Sequence, residues 1–277
     1  MKLIDGRAMA QKIREDIREE IQGLPSSPGL GVLLVGDDPA SAIYVNLKER
    51  AAQEAGITTD IRRLPATTSD AELITIIKEW NKNASIDGIL VQLPLPQGHN
   101  ADAVIAEMDP EKDVDGFHPS SIAASEVGAS PILSPVYEAI VRCLGATDLD
   151  PRGASAVILA NSDTFAKPLS RLLQRIGLVT AIMDPDELDS QLLRTTKVII
   201  SAIGRCHFIK ADLVSPGSII IDVGTSHDIH GKVCGDADAV SLAPVDGWLT
   251  PVPGGIGPMT VALLLKNVVS LYKRKRS

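Results

Sequence analysis

A tyrosine and a lysine four residues apart could together carry acid–base chemistry. Tyr44 and Lys48 fall in a helix-like stretch that begins near Ser41. Residues four apart on a helix share one face, so the phenol and the amine would project side by side. Burial or a shared hydrogen bond would lower the pKa of the amine, which could then move protons near neutral pH. An ordinary surface pair has the same spacing, so this pattern alone leaves both interpretations open.

The apolar stretch at residues 88–92 is typical of a buried strand and ends in a polar residue, Gln92. Ligands of open α/β sheets bind beyond the carboxyl ends of the strands, which is where Gln92, Leu93 and Pro94 would lie. Pro94 and Pro96 would hold the loop rigid, and a cis bond at one of them would suit such a turn. The alternative, a strand end whose amide is satisfied locally, stays open on this pattern alone.

Four acidic side chains crowd into the segment DPEKDVDG at residues 109–116. Their spacing differs from that of a calcium-binding EF-hand loop, so we predict no metal site here. A carboxylate on a tight turn can instead accept paired N–H donors from a heterocycle. Asp115 is the better candidate for that role, because Gly116 lets the backbone turn sharply after it.

The segment TPVPGGIGPMT at residues 250–260 contains three glycines and three prolines and leads into a predicted helix. Backbone N–H groups at the start of a helix can face a ligand, as they do in anion-binding sites. A plain entry into a helix would not need so many special residues. We therefore favour a binding segment that includes Pro253, Gly254 and Gly255.

The elements that would position these groups alternate between helical and extended patterns. Met9, Ile13, Ile17 and Ile21 recur every four residues, which indicates an amphipathic helix over 6–22. Short apolar runs separated by helices are typical of parallel strands covered on both faces, so we predict an α/β fold. Strands are predicted at 30–35, 57–64, 88–92, 156–159, 179–183, 198–203 and 219–223. Further helices are predicted at 40–55, 69–82, 134–144, 166–175 and 257–273.

The composition excludes several classes of function. With 277 residues the chain can form one large or two medium domains, and Pro, Ser, Ala and Gly accumulate at a predicted boundary within 119–133. Lys and Arg number 27 against 35 Asp and Glu, and only 3% of residues are aromatic. A net charge of −8 and so few aromatic platforms argue against nucleic acid as a partner.

Membrane and metal roles are not expected either. No apolar run reaches the length of a membrane span, and the first residues lack the apolar core of a signal peptide, so we expect a cytoplasmic location. Cys143, Cys206 and Cys234 are odd in number and far apart, which predicts reduced thiols rather than a disulfide framework or a zinc site. His227 and His230 are interpreted as surface residues rather than metal ligands.

Taken together, four motifs resemble those of the bifunctional methylenetetrahydrofolate dehydrogenase/methenyltetrahydrofolate cyclohydrolase family. They are YVNLK at 44–48, DGILVQLPLP at 87–96, DPEKDVDG at 109–116 and TPVPGGIGPMT at 250–260. Their order and spacing match the family, and the resemblance extends from residue 1 to residue 272. Four long motifs in order are far more specific than any one of them.

The resemblance implies two α/β domains with a cleft between them. Residues 1–125, with 254–277 packing back, would form the folate-binding catalytic domain, and 126–253 a Rossmann-type parallel-sheet domain for NAD(P). The substrate would be a tetrahydrofolate derivative. The family relationship also implies a homodimer formed through the Rossmann-type domain.

A role for each site residue follows from the resemblance as well. Lys48 would be the general acid/base, Gln92 would bond to it and tune it, and Tyr44 would pack against the folate and orient Lys48. Asp115 would bind the amino edge of the pterin ring. The folate pocket would also include Leu93, Pro94, Pro253, Gly254 and Gly255.

The predicted phosphate loop departs from the family pattern. Gly-Arg-Ser-x-x-Val-Gly-x-Pro reads ANSDTFAKP at 160–168 here, so both glycines are absent and Asn161 replaces the arginine. Asp184, after the next strand, suits the ribose hydroxyls of NAD and would repel the 2′-phosphate of NADP. Tyr137 replaces a small residue near the nicotinamide side. The candidate cofactor contacts are Asn161, Ser162, Asp184 and Gly204.

Two interpretations of this domain compete: an NAD site with altered specificity, or a cofactor site that has lost its redox role. We favour the second, which predicts cyclohydrolase chemistry on 5,10-methenyltetrahydrofolate with the dehydrogenase activity in doubt. Three alternatives stay open: the full bifunctional enzyme with NAD, an enzyme that passes the one-carbon unit of methylene- or methenyl-tetrahydrofolate to another small molecule, and a non-catalytic folate-binding protein. NADP dependence is the least expected outcome.

Overall fold

The computed structural model of the chain describes residues 1–276, apart from the side chain of Glu126. Its contacts divide the chain into two compact units. The first unit comprises Ala10–Pro135 and the residues from Val261 on, and the second comprises Met1–Met9 and Val136–Thr260. Both units are built from alternating strands and helices, as the α/β prediction requires.

The elements agree with the predicted strands and helices and add several short ones. The strands are β1 (Lys2–Leu3), β2 (Gly29–Val35), β3 (Thr58–Leu64), β4 (Gly88–Val91), β5 (Ser155–Ala160), β6 (Val179–Met183), β7 (Val198–Ala202), β8 (Ser218–Asp222), β9 (Ser226–His227), β10 (Val233–Cys234) and β11 (Gly247–Leu249). The helices are α1 (Gly6–Gln22), α2 (Pro39–Ala55), α3 (Asp70–Lys82), α4 (Ala101–Ala106), α5 (Pro119–Glu126), α6 (Pro135–Gly145), α7 (Asp163–Arg175), α8 (Ser190–Thr195), α9 (Ala239–Leu242) and α10 (Ile256–Arg276). Short 3-10 turns lie at Pro110–Lys112, Pro185–Glu187 and Ala211–Leu213.

The first unit contains a parallel three-stranded sheet in the order β3-β2-β4. Every residue of β2 is buried, which explains why its sequence is an unbroken apolar run rather than an alternating one. Leu73, Ile77 and Trp80 on one face of α3 pack into the same core as Leu33 of β2. The start of α3 is fixed by a capping box between Ser69 and Glu72.

The last helix, from Val261 on, packs into the first unit. Asn267 is buried, and its side-chain amide donates to the carbonyls of Val114 (3.0 Å) and Leu133 (2.9 Å). Arg276 forms an ion pair of 2.7 Å with the buried carboxylate of Asp87. These contacts tie the chain's last segment to the loop that carries the acidic motif.

The second unit contains a parallel six-stranded sheet in the order β1-β11-β8-β7-β5-β6. β5 pairs with β6 on one side and with β7 on the other, so the strand order reverses between β5 and β7. In open α/β sheets such a reversal opens a crevice beyond the carboxyl ends of the strands, where dinucleotides bind. This topology is the Rossmann type that the resemblance implies.

The division of the chain differs from the predicted domains at three places. The contact boundary falls after Pro135 rather than after 125, and α5 lies inside the stretch 119–133 that was predicted to hold the boundary. Residues 1–9 join the second unit because β1 pairs with β11. A strand of two residues is too short to give a recognisable sequence pattern, so this pairing could not be predicted. Residues 254–260 also belong to the second unit.

The prediction of three reduced thiols is wrong for two of them. Cys206 and Cys234 form a disulfide, with their Cα atoms 5.6 Å apart. The backbone of Cys206's neighbour His207 donates to the carbonyl of Gly235 at 3.0 Å, so the fold brings the two segments side by side. Their separation of 28 residues hides this contact in the sequence. Cys143 is free, as predicted, and its side chain is buried.

Among residues 1–276, no helix combines the length and the apolar character needed to cross a membrane. The cytoplasmic location stays a prediction.

Candidate active site and nucleotide-binding edge

The helix α2 presents Tyr44 and Lys48 from one face. It begins where the carboxylate of Asp38 accepts the N–H of Ser41 at 2.7 Å, and it ends at Gly56 in the left-handed conformation. The buried residues Val45, Ala51, Ala52 and Ala55 lie on or beside the same face, so this is the side of α2 that turns toward the protein interior. Tyr44 and Lys48 are half-buried, which leaves both side chains reachable from outside the core.

Lys48 and Gln92 are in direct contact, as the resemblance implies. The Nζ atom of Lys48 donates to Oε1 of Gln92 at 3.0 Å. The amide nitrogen of Gln92 donates in turn to the carbonyl of Leu93 at 2.7 Å, which fixes the direction of its oxygen. Gln92 directly follows β4, and the Leu93–Pro94 bond after it is cis, so the loop has the rigid turn expected for its prolines.

Asp115 is held by a neighbouring carboxylate that the sequence reasoning did not single out. The buried Asp113 accepts the N–H groups of Asp115 (3.2 Å), Gly116 (2.9 Å) and His118 (2.8 Å). Gly116 has a φ of 72°, which a residue with a side chain rarely adopts. A bridge between Asp113 and Ile89 of β4 anchors this turn to the sheet next to Gln92.

Burial and one opposite charge set the ionisation of this cluster. Desolvation lowers the pKa of Lys48, and the negative charge of Asp115 partly opposes that effect. Desolvation raises the pKa of Asp115 to about 6, although Lys48 pulls it down. A lysine with a lowered pKa can accept and return a proton near neutral pH. Among the described residues no hydrogen bond joins Tyr44 to Lys48, so of the two causes offered by the sequence it is burial that lowers the pKa of Lys48.

Pro253, Gly254 and Gly255 belong to the second unit, where the local backbone constrains both glycines. Gly254 has a φ of 120°, and the Val252–Pro253 bond before it is cis. A Cβ on Gly255 would lie 2.8 Å from the carbonyl oxygen of Pro251. Their predicted place in a folate pocket, like that of Leu93 and Pro94, stays a prediction.

The four predicted cofactor residues follow three strands of the second unit at the same sheet edge. Asn161 and Ser162 come directly after β5, Asp184 after β6, and Gly204 shortly after β7, and all four are exposed. The side-chain amide of Asn161 donates to the carbonyl of Ile203 at 2.7 Å. This bond links the two loops that flank the reversal of strand order.

Asp184 has one carboxylate oxygen engaged by the protein. Its Oδ1 accepts the N–H of Asp186 at 2.8 Å and so starts the 3-10 turn Pro185–Glu187. The exposed position leaves the carboxylate accessible for hydroxyl donors. Ser162 begins α7 without a side-chain cap, because its hydroxyl bonds to that of Thr164 at 2.6 Å.

Two buried carboxylates at this edge were missed by the sequence reasoning. Asp236 accepts the hydroxyl of Ser201 and the N–H groups of Ile203 (2.9 Å) and Arg205 (2.8 Å), so it holds the loop after β7. Asp222 at the end of β8 accepts the N–H of Ala237 at 2.8 Å, and burial raises its pKa to about 7. A polar residue closing an apolar strand, the signal that found Gln92, would have found Asp222 too.

The fold and the site together define an α/β protein with a Rossmann-type unit and, in its first unit, a lysine whose pKa is lowered by burial. A family model described as "Tetrahydrofolate dehydrogenase/cyclohydrolase, catalytic domain" matches residues 4–115. The model of the same family's NAD(P)-binding domain matches residues 135–276. The chain therefore belongs to the tetrahydrofolate dehydrogenase/cyclohydrolase family, whose enzymes interconvert one-carbon units on tetrahydrofolate.

Individual relatives agree with this assignment over the whole length. The chain is 42% identical to the bifunctional protein FolD of Acidiphilium cryptum, over 99% of each chain. The crystal structure of the bifunctional FolD enzyme from Campylobacter jejuni superposes with a TM-score of 0.95 at 35% identity, covering 99% of both chains. The Trypanosoma brucei enzyme, solved with NADP and an inhibitor, superposes with a TM-score of 0.94 at 28% identity and covers 99% of this chain and 98% of its own.

These comparisons confirm the family inferred from the four motifs. They give no support to the prediction that the dehydrogenase activity is in doubt. The match to the NAD(P)-binding domain runs straight through residues 160–168, where the phosphate loop is altered, and the relatives are called bifunctional.

Proposed function

We propose that this chain catalyses two consecutive steps: oxidation of 5,10-methylenetetrahydrofolate with a nicotinamide dinucleotide, and hydrolysis of the resulting methenyl cation to 10-formyltetrahydrofolate. The observation that carries the proposal is the 3.0 Å hydrogen bond from Lys48 to Gln92, in a cluster where burial lowers the lysine's pKa. A non-catalytic folate-binding protein, one of the alternatives, would have no need for an amine with a lowered pKa.

Hydrolysis needs a base beside a cation. A neutral Lys48 can take a proton from water as the water oxygen bonds to the methenyl carbon, whereas an ammonium group would repel that cation. The protonated Lys48 can then return that proton to the ring nitrogen as the bond from this nitrogen to the same carbon breaks. The remaining hydroxyl proton passes to the solvent as the carbonyl of the formyl group forms, so one proton is released overall. Gln92 keeps the amine aimed through both transfers, because its own amide is fixed by Leu93.

The neighbouring residues would bind the folate. The carboxylate of Asp115 can accept two N–H donors from the amino edge of a pterin ring. The ring of Tyr44 offers an apolar surface on the same helix face as Lys48, and Leu93 and Pro94 follow Gln92 in the cis-proline turn.

The nucleotide-binding edge fits a dinucleotide, and its charges favour NAD over NADP. When bound, the nicotinamide ring would accept the hydride from the methylene carbon. Asp184 stands at the end of β6, where a carboxylate can bind ribose hydroxyls and would repel a 2′-phosphate. Asn161 is uncharged, so it offers no positive charge to the 2′-phosphate of NADP, and its amide already donates to the carbonyl of Ile203. The trypanosomal relative was solved with NADP, so the preference of this chain for NAD needs to be measured directly.

The proposal is tested by following both products from 5,10-methylenetetrahydrofolate with NAD or NADP. We expect reduced nicotinamide and 10-formyltetrahydrofolate together, with a higher kcat/KM for NAD. Folate binding without turnover would instead identify a non-catalytic binding protein. Consumption of the substrate without either product, in the presence of a further small molecule, would support the one-carbon donor alternative.

We also propose a homodimer formed through the second unit. β6 is an edge strand of the six-stranded sheet, and the side chains of Val179 and Ile182 are 63% and 42% exposed there. An exposed apolar edge strand favours pairing with another chain. Light scattering should give the mass of a dimer for the wild type and of a monomer for Ile182→Lys; a wild-type monomer would rule the dimer out.

A further inference from the structure

We propose that Tyr137 is a positioning residue for the dinucleotide, because its hydroxyl bonds to the first turn of α7, in which Pro168 removes one of the backbone hydrogen bonds. The inference rests on the proposed function, since it concerns the dinucleotide step. It assigns a role to the residue that most visibly departs from the family at this edge.

The gap in α7 follows from the covalent structure of proline. A carbonyl in an α-helix accepts the N–H of the residue four positions later. The residue four positions after Thr164 is Pro168, which lies inside α7 and has no N–H to donate. The proline ring also crowds the carbonyl of Thr164. The first turn of α7 therefore lacks one of the bonds that would hold it.

Tyr137 supplies a donor to this turn from the neighbouring helix α6. Its hydroxyl donates to the carbonyl of Phe165 at 3.1 Å and lies 3.5 Å from that of Thr164. The ring of Tyr137 contacts the ring of Phe165, with the centroids 5.7 Å apart. Tyr137 is buried, and burial raises its pKa to about 12, so the hydroxyl keeps its proton and stays a donor.

The turn that Tyr137 holds begins at the ligand-binding edge of the sheet. α7 starts two residues after β5 ends, next to the reversal of strand order. The hydroxyl of Ser162 bonds to that of Thr164 rather than to a helix N–H group, and its carbonyl accepts the N–H groups of Phe165 and Ala166. Among the described residues the N–H groups of Asp163 and Thr164 are thus left for an acceptor from outside. N–H groups at such a helix start bind phosphate oxygens, and small changes in their direction weaken that binding.

The test compares two Tyr→Phe variants that remove one hydroxyl each. Tyr137→Phe should raise the KM for the dinucleotide about three- to tenfold, the effect of one lost hydrogen bond, while kcat stays nearly unchanged. Tyr272→Phe is the matched control, because Tyr272 is also buried but bonds to Ser26 in the first unit. Its dinucleotide KM should equal that of the wild type.

A rescue experiment separates positioning from general loss of packing. Pro168→Ala restores an N–H for the carbonyl of Thr164 and so adds a bond to the turn that the Tyr137 hydroxyl holds through Phe165. In that background Tyr137→Phe should raise the KM less than in the wild type. Equal effects of Tyr137→Phe in both backgrounds, or an unchanged KM in the single variant, would overturn the inference.

The outcomes for the two proposals are distinguishable. A wild-type protein that reduces neither NAD nor NADP would refute the proposed dehydrogenase step and this inference with it. A working wild type with an unaltered Tyr137→Phe variant would overturn the inference alone. Faster amide hydrogen exchange within α7 of Tyr137→Phe, but not of Tyr272→Phe, is expected in the free protein.

Discussion

Replacing Gln92 in two opposite ways should move the pH dependence of the hydrolysis in opposite directions. Gln92→Met keeps the length of the side chain but removes the oxygen that accepts the Lys48 hydrogen bond at 3.0 Å. Gln92→Glu keeps an acceptor there and adds a negative charge. If neutral Lys48 is the base, the acidic limb of the kcat/KM profile reports its pKa in the free enzyme.

The magnitudes follow from this contact. A hydrogen bond from a charged donor contributes about 1.5–3 kcal/mol and one from a neutral donor about 0.5–1.5 kcal/mol. Losing the bond therefore penalises the ammonium form by roughly 1 kcal/mol more than the amine, which is somewhat less than one pKa unit. Gln92→Met should shift the limb to lower pH by about that amount. An opposite charge in contact raises a lysine's pKa, so Gln92→Glu should shift it to higher pH by about 1–3 units.

The assay follows the loss of methenyl absorbance across a pH series in the wild type and both variants. Gln97 provides matched controls, because it is exposed in the same loop, and Gln97→Met and Gln97→Glu should leave the limb in place. If the limb stays fixed in both Gln92 variants while the rate falls, the group that titrates is not Lys48. A shift in the same direction for both would refute the electrostatic reasoning.

Three further predictions concern charge and stability. The raised pKa of Asp115 (about 6) and Asp222 (about 7) means that both stabilise the fold at low pH, and that this contribution is lost as the pH rises from about 4 through those values. Urea unfolding of Asp115→Asn at a series of pH values should show a fall in stability between pH 4 and 7 that is about 1–3 kcal/mol smaller than in the wild type; an identical fall would contradict the burial argument. Reduction of the Cys206–Cys234 disulfide, which closes a loop of 28 residues, should lower the unfolding free energy by about 3–4 kcal/mol, whereas Cys206→Ser should not respond to reductant. Asp184→Ser should raise kcat/KM for NADP relative to NAD at least about tenfold, since a juxtaposed pair of like charges costs more than 1 kcal/mol; an unchanged ratio would place the discrimination elsewhere.

Much of the fold could be predicted because its strands are short apolar runs. β2, β5 and β8 are buried on both faces, so their sequences contain almost only apolar residues and give a clear pattern. β1 could not be predicted, because two residues carry no pattern and its partner β11 is at the far end of the chain. The Cys206–Cys234 bond was hidden for the same reason: its contact is made by tertiary structure rather than by spacing.

For the candidate site, the contact between Lys48 and Gln92 was predicted, but the way in which the fold assembles it was not. Lys48 and Gln92 were both identified, but only the structure shows that Gln92 is oriented by the carbonyl of Leu93. Asp115 was chosen over Asp113 because a glycine follows it. The structure gives Asp113 a distinct task, since its buried carboxylate gathers three N–H groups and shapes the turn that carries Asp115.

The altered phosphate loop has a different weight once the fold and the family are known. Absent glycines and the loss of an arginine suggested a decayed cofactor site, yet the family match covers this loop and the strand order keeps its ligand-binding reversal. The sequence pattern does not show the tertiary contacts that hold this loop. The side chain of Asn161 bonds to the loop after β7, and the hydroxyl of Tyr137 in α6 bonds to the first turn of α7.

The central claim, that Lys48 moves the proton in folate chemistry, is tested most directly by Lys48→Met. Hydrolysis of 5,10-methenyltetrahydrofolate should fall by about 10²–10⁴-fold, the usual contribution of a general acid/base. Calorimetric binding of a folate analogue and the thermal unfolding midpoint should stay close to the wild type, because methionine keeps the length and apolar stem of the side chain. A folded Lys48→Met variant that binds folate and still hydrolyses the methenyl compound at the wild-type rate would contradict the account.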